Sequence, residues 1–162
     1  MRIGVISDTH IPIQAKEIPE RVLQSLKGMD MLIHAGDLIR LNVLDSLKSI
    51  CPNLKAVRGN MDASEVINSL PEKEIIKTGK HRIGLTHGRG SPASLIKTVS
   101  EIFKNDNVDI IIFGHSHFPV NERREGILYF NPGSLTDTIF APFNSYGIIE
   151  LNDEIKAEIV RI

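Results

Sequence analysis

The sequence predicts an α/β fold in a single domain, residues 1–162, and three observations predict it. Short apolar, β-branched runs stop abruptly at a glycine or a polar cluster. Apolar residues at helical spacing separate the first three of these runs, which makes consecutive βαβ units. Beyond Leu70-Pro71 the helical spacing gives way to alternation, so the second half is expected to be built with antiparallel pairs.

The first strand is Ile3-Gly4-Val5-Ile6, and Ser7-Asp8-Thr9-His10 reads as the loop beyond it. Asp8 and His10 are two positions apart. In extended backbone that spacing turns both side chains to one side, where they would grip one ion together; the competing reading is a turn-capping aspartate beside a surface histidine. Pro19 suits a helix's first turn, Val22, Leu23 and Leu26 follow at helical spacing, and Gly28 ends the segment. Met31-Leu32-Ile33 is the next buried strand, and the chain then runs through His34-Ala35-Gly36 to Asp37. That places Asp37 at a strand's carboxyl end, where open α/β sheets bind ligands because loops converge there on a crevice.

Leu41, Leu44 and Leu47 recur at a near-helical period before Pro52, and Lys55-Ala56-Val57-Arg58 is the third parallel strand. It ends in Gly59-Asn60-Met61-Asp62. Asn60 offers a carbonyl oxygen as a neutral ligand, while Asp62 reads equally as the N-cap of a helix through Val66 and Ile67. Ile75-Ile76 and Ile83-Gly84-Leu85-Thr86 then form a hairpin through Gly79-Lys80, and His87 follows the second strand. Ser91-Pro92 starts a helix whose Leu95, Ile96, Val99, Ile102 and Phe103 make a core-facing side. Asp109 to Phe113 is a strand closed by Gly114-His115-Ser116-His117. Another hairpin, turning near Gly126, leads through Ile127 to Phe130 into Asn131-Pro132-Gly133-Ser134. Two alternating segments, Ser145 to Leu151 and Ile155 to Val160, are joined by Asn152-Asp153.

Nineteen basic against twenty acidic residues leave a formal charge of -1, without the basic footprint of phosphate neutralisation, so nucleic acid is not an expected partner. The one cysteine, Cys51, has no internal disulfide partner and reads as a small buried filler. The opening apolar run is too short for a signal peptide and no segment approaches a membrane span, which makes a cytoplasmic location the expectation.

Asp8, His10, Asp37, Asn60, His87, His115 and His117 are therefore seven candidate metal ligands, each just past an apolar strand. Mixed imidazole and carboxylate ligation suits manganese, iron, zinc or nickel better than calcium or magnesium. Seven ligands exceed the four that one zinc ion takes and fit two ions once a carboxylate bridges them. Asp37, the only carboxylate in its loop, is the natural bridge. His34 and His81 are left outside the set, the first within the strand that carries Asp37 and the second near a turn.

Asp8-Thr9-His10, Gly36-Asp37, Gly59-Asn60-Met61-Asp62, Thr86-His87-Gly88 and Gly114-His115-Ser116-His117 resemble, in this order, the motif set of the calcineurin-like metallophosphoesterases. With Asn131-Pro132-Gly133-Ser134 and the small size, the chain resembles the small YfcE-type phosphodiesterase branch. The resemblance implies a four-layer α/β/β/α sandwich of two mixed β-sheets flanked by helices. It implies two divalent ions, manganese first, with nickel, iron, zinc or cobalt as alternatives. One ion would lie on Asp8, His10, Asp37 and His117, the other on Asp37, Asn60, His87 and His115. The implied reaction is hydrolysis of a small phosphodiester by a hydroxide shared between the ions, with Asp37, Asn60, His87 and His115 catalytic.

Asn60 and Arg89 would contact the phosphate, Arg89 with its guanidinium fork, the competing reading of Arg89 being an ordinary exposed loop arginine. Arg58, the last residue of the third strand, carries the same two readings, and a homodimer is one option for the assembly. Two departures stand out. Met61 occupies the position where many phosphomonoesterases of the superfamily carry a histidine acid, and Leu135-Thr136-Asp137 replaces a Pro-Arg found in many relatives. The rival functions are a phosphomonoesterase or nuclease of the same superfamily, and a non-catalytic protein-binding scaffold like the retromer subunit. Retention of all seven ligands favours the enzyme over the scaffold.

Overall fold

Side-chain alternation along the strands decides which layer each residue joins. The computed structural model describes residues 1–162. Strands β1 (Arg2–Ile6), β2 (Met31–His34) and β3 (Leu54–Ala56) run parallel, with helices α1 (Glu20–Leu26) and α2 (Asn42–Ile50) as the crossovers. In β1, Ile6 turns toward α1 and packs with Val22 and Leu26, whereas Ile3 and Val5 turn to the opposite face. In β2, Leu32 joins the helix layer while Met31 and Ile33 face the other way. A third helix, α3 (Ser64–Ser69), adds Val66 to the helix layer.

The second sheet follows in sequence as β4 (Lys73–Thr78), β5 (His81–Thr86), β6 (Ile110–Ile112), β7 (Val120–Arg124) and β8 (Ile127–Asn131), in the spatial order β4-β5-β6-β8-β7. Ile110 and Ile112 face the first sheet, while Ile111 and Phe113 face helix α4 (Leu95–Phe103) and meet its Leu95, Val99 and Phe103. Three apolar interfaces thus separate four layers, α/β/β/α, and both sheets are mixed.

The second half does contain the expected antiparallel pairs, the hairpins β4–β5, β7–β8 and the closing pair of strands Ser145–Leu151 and Ile155–Arg161, but the second sheet is not antiparallel throughout. β5–β6 and β6–β8 are parallel, because α4 and then β7 return the chain to the starting end of the sheet. Alternation marks a strand with one covered face and carries no partner direction. The unbroken run Ile110-Ile111-Ile112, buried on both faces, was the parallel signal. The helix after Ser91 also begins as a 3-10 turn, Pro92–Ser94, before α4.

The last two strands, β9 (Ser145–Leu151) and β10 (Ile155–Arg161), complete the first sheet on the free edge of β1, giving the order β10-β9-β1-β2-β3. β1 is therefore central although it opens the chain. Cys51 is buried and its thiol faces the Met29 carbonyl at 3.4 Å, as befits a small filler. No helix is long and apolar enough to cross a membrane.

Candidate metal centre

Each expected ligand follows the carboxyl end of β1, β2, β3, β5 or β6, and the backbone there is strained. Of the eight non-glycine residues in the left-handed region, five are expected ligands: Asp8, His10, Asp37, His115 and His117, with φ between 43 and 70°. Such conformations cost of order 1–3 kcal/mol each and persist only where surrounding structure enforces them, which is why they gather at functional sites. The loop after β1 is thus not extended, as the two-residue spacing suggested, yet its side chains still converge. Gly36, at φ 95°, lets its loop lie against His87; a Cβ there would sit 2.7 Å from the ring's Nδ1.

Two ligand sets result, Asp8 with His10 and His117, and Asp8 with Asp37 and His87, the donor atoms of each set lying within 4.8 Å of one another. Asp8 Oδ1 is 3.3 Å from His117 Nε2 and 3.9 Å from both His10 Nε2 and His87 Nε2. Asp37 Oδ2 reaches across the centre, 3.3 Å from His87 Nε2 and 3.7 Å from His10 Nε2. Both carboxylates are tethered through their other oxygen. Asp8 Oδ2 accepts from the Ser7 hydroxyl at 2.6 Å and the His115 N–H at 3.1 Å, and Asp37 Oδ1 accepts from the Met61 N–H at 2.7 Å.

Two buried polar atoms have no hydrogen-bond partner, Asp8 Oδ1 and His87 Nε2. Unpaired buried polar atoms are rare and demand a reason. Here both are atoms of types that can donate to a metal and both belong to one cluster of such groups, so the residues present fit divalent ions.

The histidine orientations agree. His87 Nδ1 donates to the Ala35 carbonyl at 2.7 Å and His117 Nδ1 donates to Asp137, which leaves each Nε2 directed inward. Burial opposes charge on both rings, but the carboxylates outweigh it and raise both pKa values to about 9: Asp8 and Asp37 for His87, Asp8 and Asp137 for His117. For His10 burial prevails and the pKa is lowered. Burial also works against the Asp37 carboxylate, yet His87 and the Met61 N–H hold its pKa below the usual range.

His34 supports the centre without facing it. Its Nδ1 accepts from the Gly36 N–H at 3.2 Å and its Nε2 lies 3.1 Å from Thr9 Oγ1, tying the loops after β1 and β2 together. Burial lowers its pKa to about 4, so it stays neutral. His81 stands at the start of β5, the opposite end of that strand from His87.

Asp62 proves to be neither ligand nor N-cap. The residue preceding α3 is Ala63, with no side-chain cap, and Asp62 instead accepts from the Ile39 N–H at 2.6 Å and the Gly59 N–H at 2.7 Å. It staples the loop after β2 to the loop after β3. His115 lies outside both ligand sets and pairs with Asn60, His115 Nδ1 to Asn60 Oδ1 at 2.8 Å. The other ring nitrogen of His115 is 2.9 Å from the Gly90 carbonyl, and the ring meets His87 edge-on with centroids 5.3 Å apart. Arg89 is exposed and shares Glu72 with Arg58, at 3.7 and 3.4 Å respectively; both arginines line a cleft of about 280 Å³ that also contains Asn60 and His87.

Asp137 was not anticipated as a site residue. It is buried behind His117, and it also accepts from the backbone N–H groups of Ile139 at 2.8 Å and Ala141 at 3.1 Å. Its only sequence signal was the departure after Asn131-Pro132-Gly133-Ser134. The same loop clasps the one after β1: Ser134 Oγ donates to the Asp8 carbonyl and Thr136 Oγ1 to the Thr9 carbonyl, both at 2.7 Å.

A family model described as the calcineurin-like phosphoesterase superfamily domain matches residues 1–154. A protein of Methanocaldococcus jannaschii named "probable metallophosphoesterase" is 36% identical over 167 aligned positions, covering 100% of this chain and 82% of the relative. One of Methanothermobacter thermautotrophicus with the same description is 35% identical and covers 99% and 92%. Among solved structures, Vps29 of Entamoeba histolytica complexed with zinc superposes with a TM-score of 0.80 at 28% identity, covering 99% of each chain.

Proposed function

The chain belongs to the calcineurin-like phosphoesterase superfamily, and on that premise we propose that it is a metal-dependent phosphodiesterase acting on a small diester. Two divalent ions, manganese first, would be held by Asp8, His10 and His117 on one side and by His87 on the other, with Asp37, whose Oδ2 faces both His10 and His87, common to the two and with Asn60 and His115 as further donors at the edge. The observation that carries this reading is the pair of unpartnered buried donor atoms, Asp8 Oδ1 and His87 Nε2. When bound, such ions supply Lewis acidity toward phosphoryl oxygens and a water of lowered pKa.

The chain's own residues do the rest. Ala35 and Asp137 hold the rings of His87 and His117 with Nε2 inward. Ser7 and Met61 hold Asp8 and Asp37 so that one oxygen of each stays available. Asn60 and Arg89 open onto the same cleft as His87 and contact the substrate there. Met61 has no proton to give, so the departing alcohol receives none from that position.

Assays of phosphodiesters, cyclic nucleotides and phosphomonoesters with manganese, nickel, iron, zinc and cobalt test the reading. Metal-dependent cleavage of diesters in preference to monoesters is expected, and the reverse preference would make the chain a phosphomonoesterase. Likeness to Vps29 favours a second reading, a protein-binding scaffold. Metal uptake without hydrolysis of any ester would support it.

A further inference from the structure

Six large apolar side chains are exposed, and five of them, Ile13, Met61, Phe118, Ile139 and Phe140, lie within three residues of His10, Asn60, His117 or Asp137. The sixth, Ile67, lines the cleft that holds Arg58 and Arg89. Exposed apolar groups gathered in one place mark a binding surface. Phe118 and Phe140 stand in one cleft with His115 and His117, and Ile67 stands in another with Asn60 and His87, so these three flank the mouth of the candidate metal centre.

The mouth has two sides of opposite character. On the side of His115 and His117 it opens onto a cleft of about 220 Å³ walled by Pro92, Phe118 and Phe140. On the side of Asn60 and His87 it opens onto the cleft with Arg58 and Arg89, where the single carboxylate of Glu72 faces two guanidiniums and leaves one positive charge in excess. The Asn60–His115 hydrogen bond joins a residue of one cleft to a residue of the other. A phosphodiester likewise has two ester groups on one phosphorus.

We propose that the substrate is an unsymmetrical phosphodiester, with one apolar or aromatic ester group packed on Phe118 and Phe140 and a second ester group carrying an anionic substituent toward Arg58 and Arg89. The inference rests on the phosphodiesterase reading and adds the substrate class to it. In the reaction the water oxygen bonds to phosphorus and one ester P–O bond breaks. The departing oxygen leaves with a proton as the alcohol, the other group remains on a phosphomonoester, and the second water proton passes to solvent.

The test uses the full chain loaded with manganese and three para-nitrophenyl diesters, whose second ester group is carboxyethyl, ethyl or trimethylammonioethyl. The common aryl group occupies the aromatic cleft and fixes the leaving-group pKa. Values of kcat/KM are expected to fall in the order given, by about tenfold or more from the anionic to the cationic ester. Replacing both arginines, Arg58→Gln with Arg89→Gln, should flatten that order. Replacing both aromatics, Phe118→Ser with Phe140→Ser, should raise KM for all three esters about tenfold. Both aromatics are exposed, so these changes leave the core alone. Equal kcat/KM for the three esters overturns the inference and leaves the phosphodiesterase reading standing. Failure to cleave any of them with any of the five metals overturns both. A changed sedimentation coefficient with unchanged KM in the phenylalanine variant would make this face a contact between copies of the chain and overturn the inference as well.

Discussion

Nδ1 of His117 donates a hydrogen bond to Oδ2 of Asp137, a carboxylate twenty positions further along the chain and itself buried. A metal-binding histidine held in this way keeps one tautomer and one ring orientation, and loss of such a partner typically costs about 10–100-fold in metal affinity. Asp137→Ala is therefore expected to weaken manganese or zinc binding by about that factor, measured by titration calorimetry. Asp137→Asn, which keeps an acceptor, should recover part of the loss. Above pH 9, where the ring is neutral, nitrogen chemical shifts of metal-free His117 would show both tautomers in the alanine variant; a single unchanged tautomer would show that Asp137 does not set it.

Protons and metal compete for the same rings. His87 and His117 titrate near 9 in the folded metal-free protein, against the ordinary 6.5, so the folded state binds their protons more tightly than the unfolded state does. The resulting stabilisation is fully present below pH 6.5 and is lost as the pH rises through about 9. These two groups should therefore lower the Tm of metal-free protein across that interval. Metal needs both rings deprotonated, so its affinity should rise with pH over the same range and binding at neutral pH should release protons. Calorimetry in buffers of different ionisation enthalpy counts them; no release at pH 7 would contradict the raised values.

Asp37→Asn should abolish hydrolysis and reduce bound metal below two ions per chain, with the fold retained. The amide keeps an acceptor for the Met61 N–H while removing the charge that faces His87 and His10. The apolar layers, which carry most of the stability, are untouched. Metal content by elemental analysis and the thermal melt read the two effects separately, and full activity at saturating metal would remove the bridging role.

Met61 sits exposed at the site and lacks a transferable proton. A general acid is typically worth about 10²–10⁴ in rate when an alkoxide must leave, and little when a nitrophenolate leaves. Hydrolysis should therefore depend steeply on leaving-group pKa. Met61→His, at a position where the new ring meets no packing constraint, should flatten the slope by helping the poor leaving groups. A flat slope in the unmodified protein would mean that another group already supplies the proton.

Much of this arrangement can be read from local chemistry. Gly79-Lys80, Glu125-Gly126 and Asn152-Asp153 each turn a hairpin, because such residues favour tight turns whatever the rest of the chain does. The strand ends bearing Asp8, Asp37, Asn60, His87 and His115 are legible for the same reason, since an apolar run must stop where its polar loop begins. Relations between distant segments are not legible. Asp62 satisfies every local criterion for a helix cap, yet two backbone N–H groups in the neighbouring loops claim its oxygens. Nothing near Asp137 announces His117, and nothing in β9 or β10 says which sheet edge they complete.

The central place of β1 sets an order of events during synthesis. Asp8 leaves the ribosome well before Ser134 and Thr136, which hold its loop, and its strand gains a second neighbour only when β9 arrives. Contacts closed over such sequence separations form late, because the loop entropy must be met before they contribute. A nascent chain ending before Ser134 thus presents β1 as an open sheet edge, with Asp8 and His10 unfixed and His117 without its carboxylate. Metal loading then belongs after translation of the last strands, and a stalled chain is exposed to pairing with other nascent strands until they emerge.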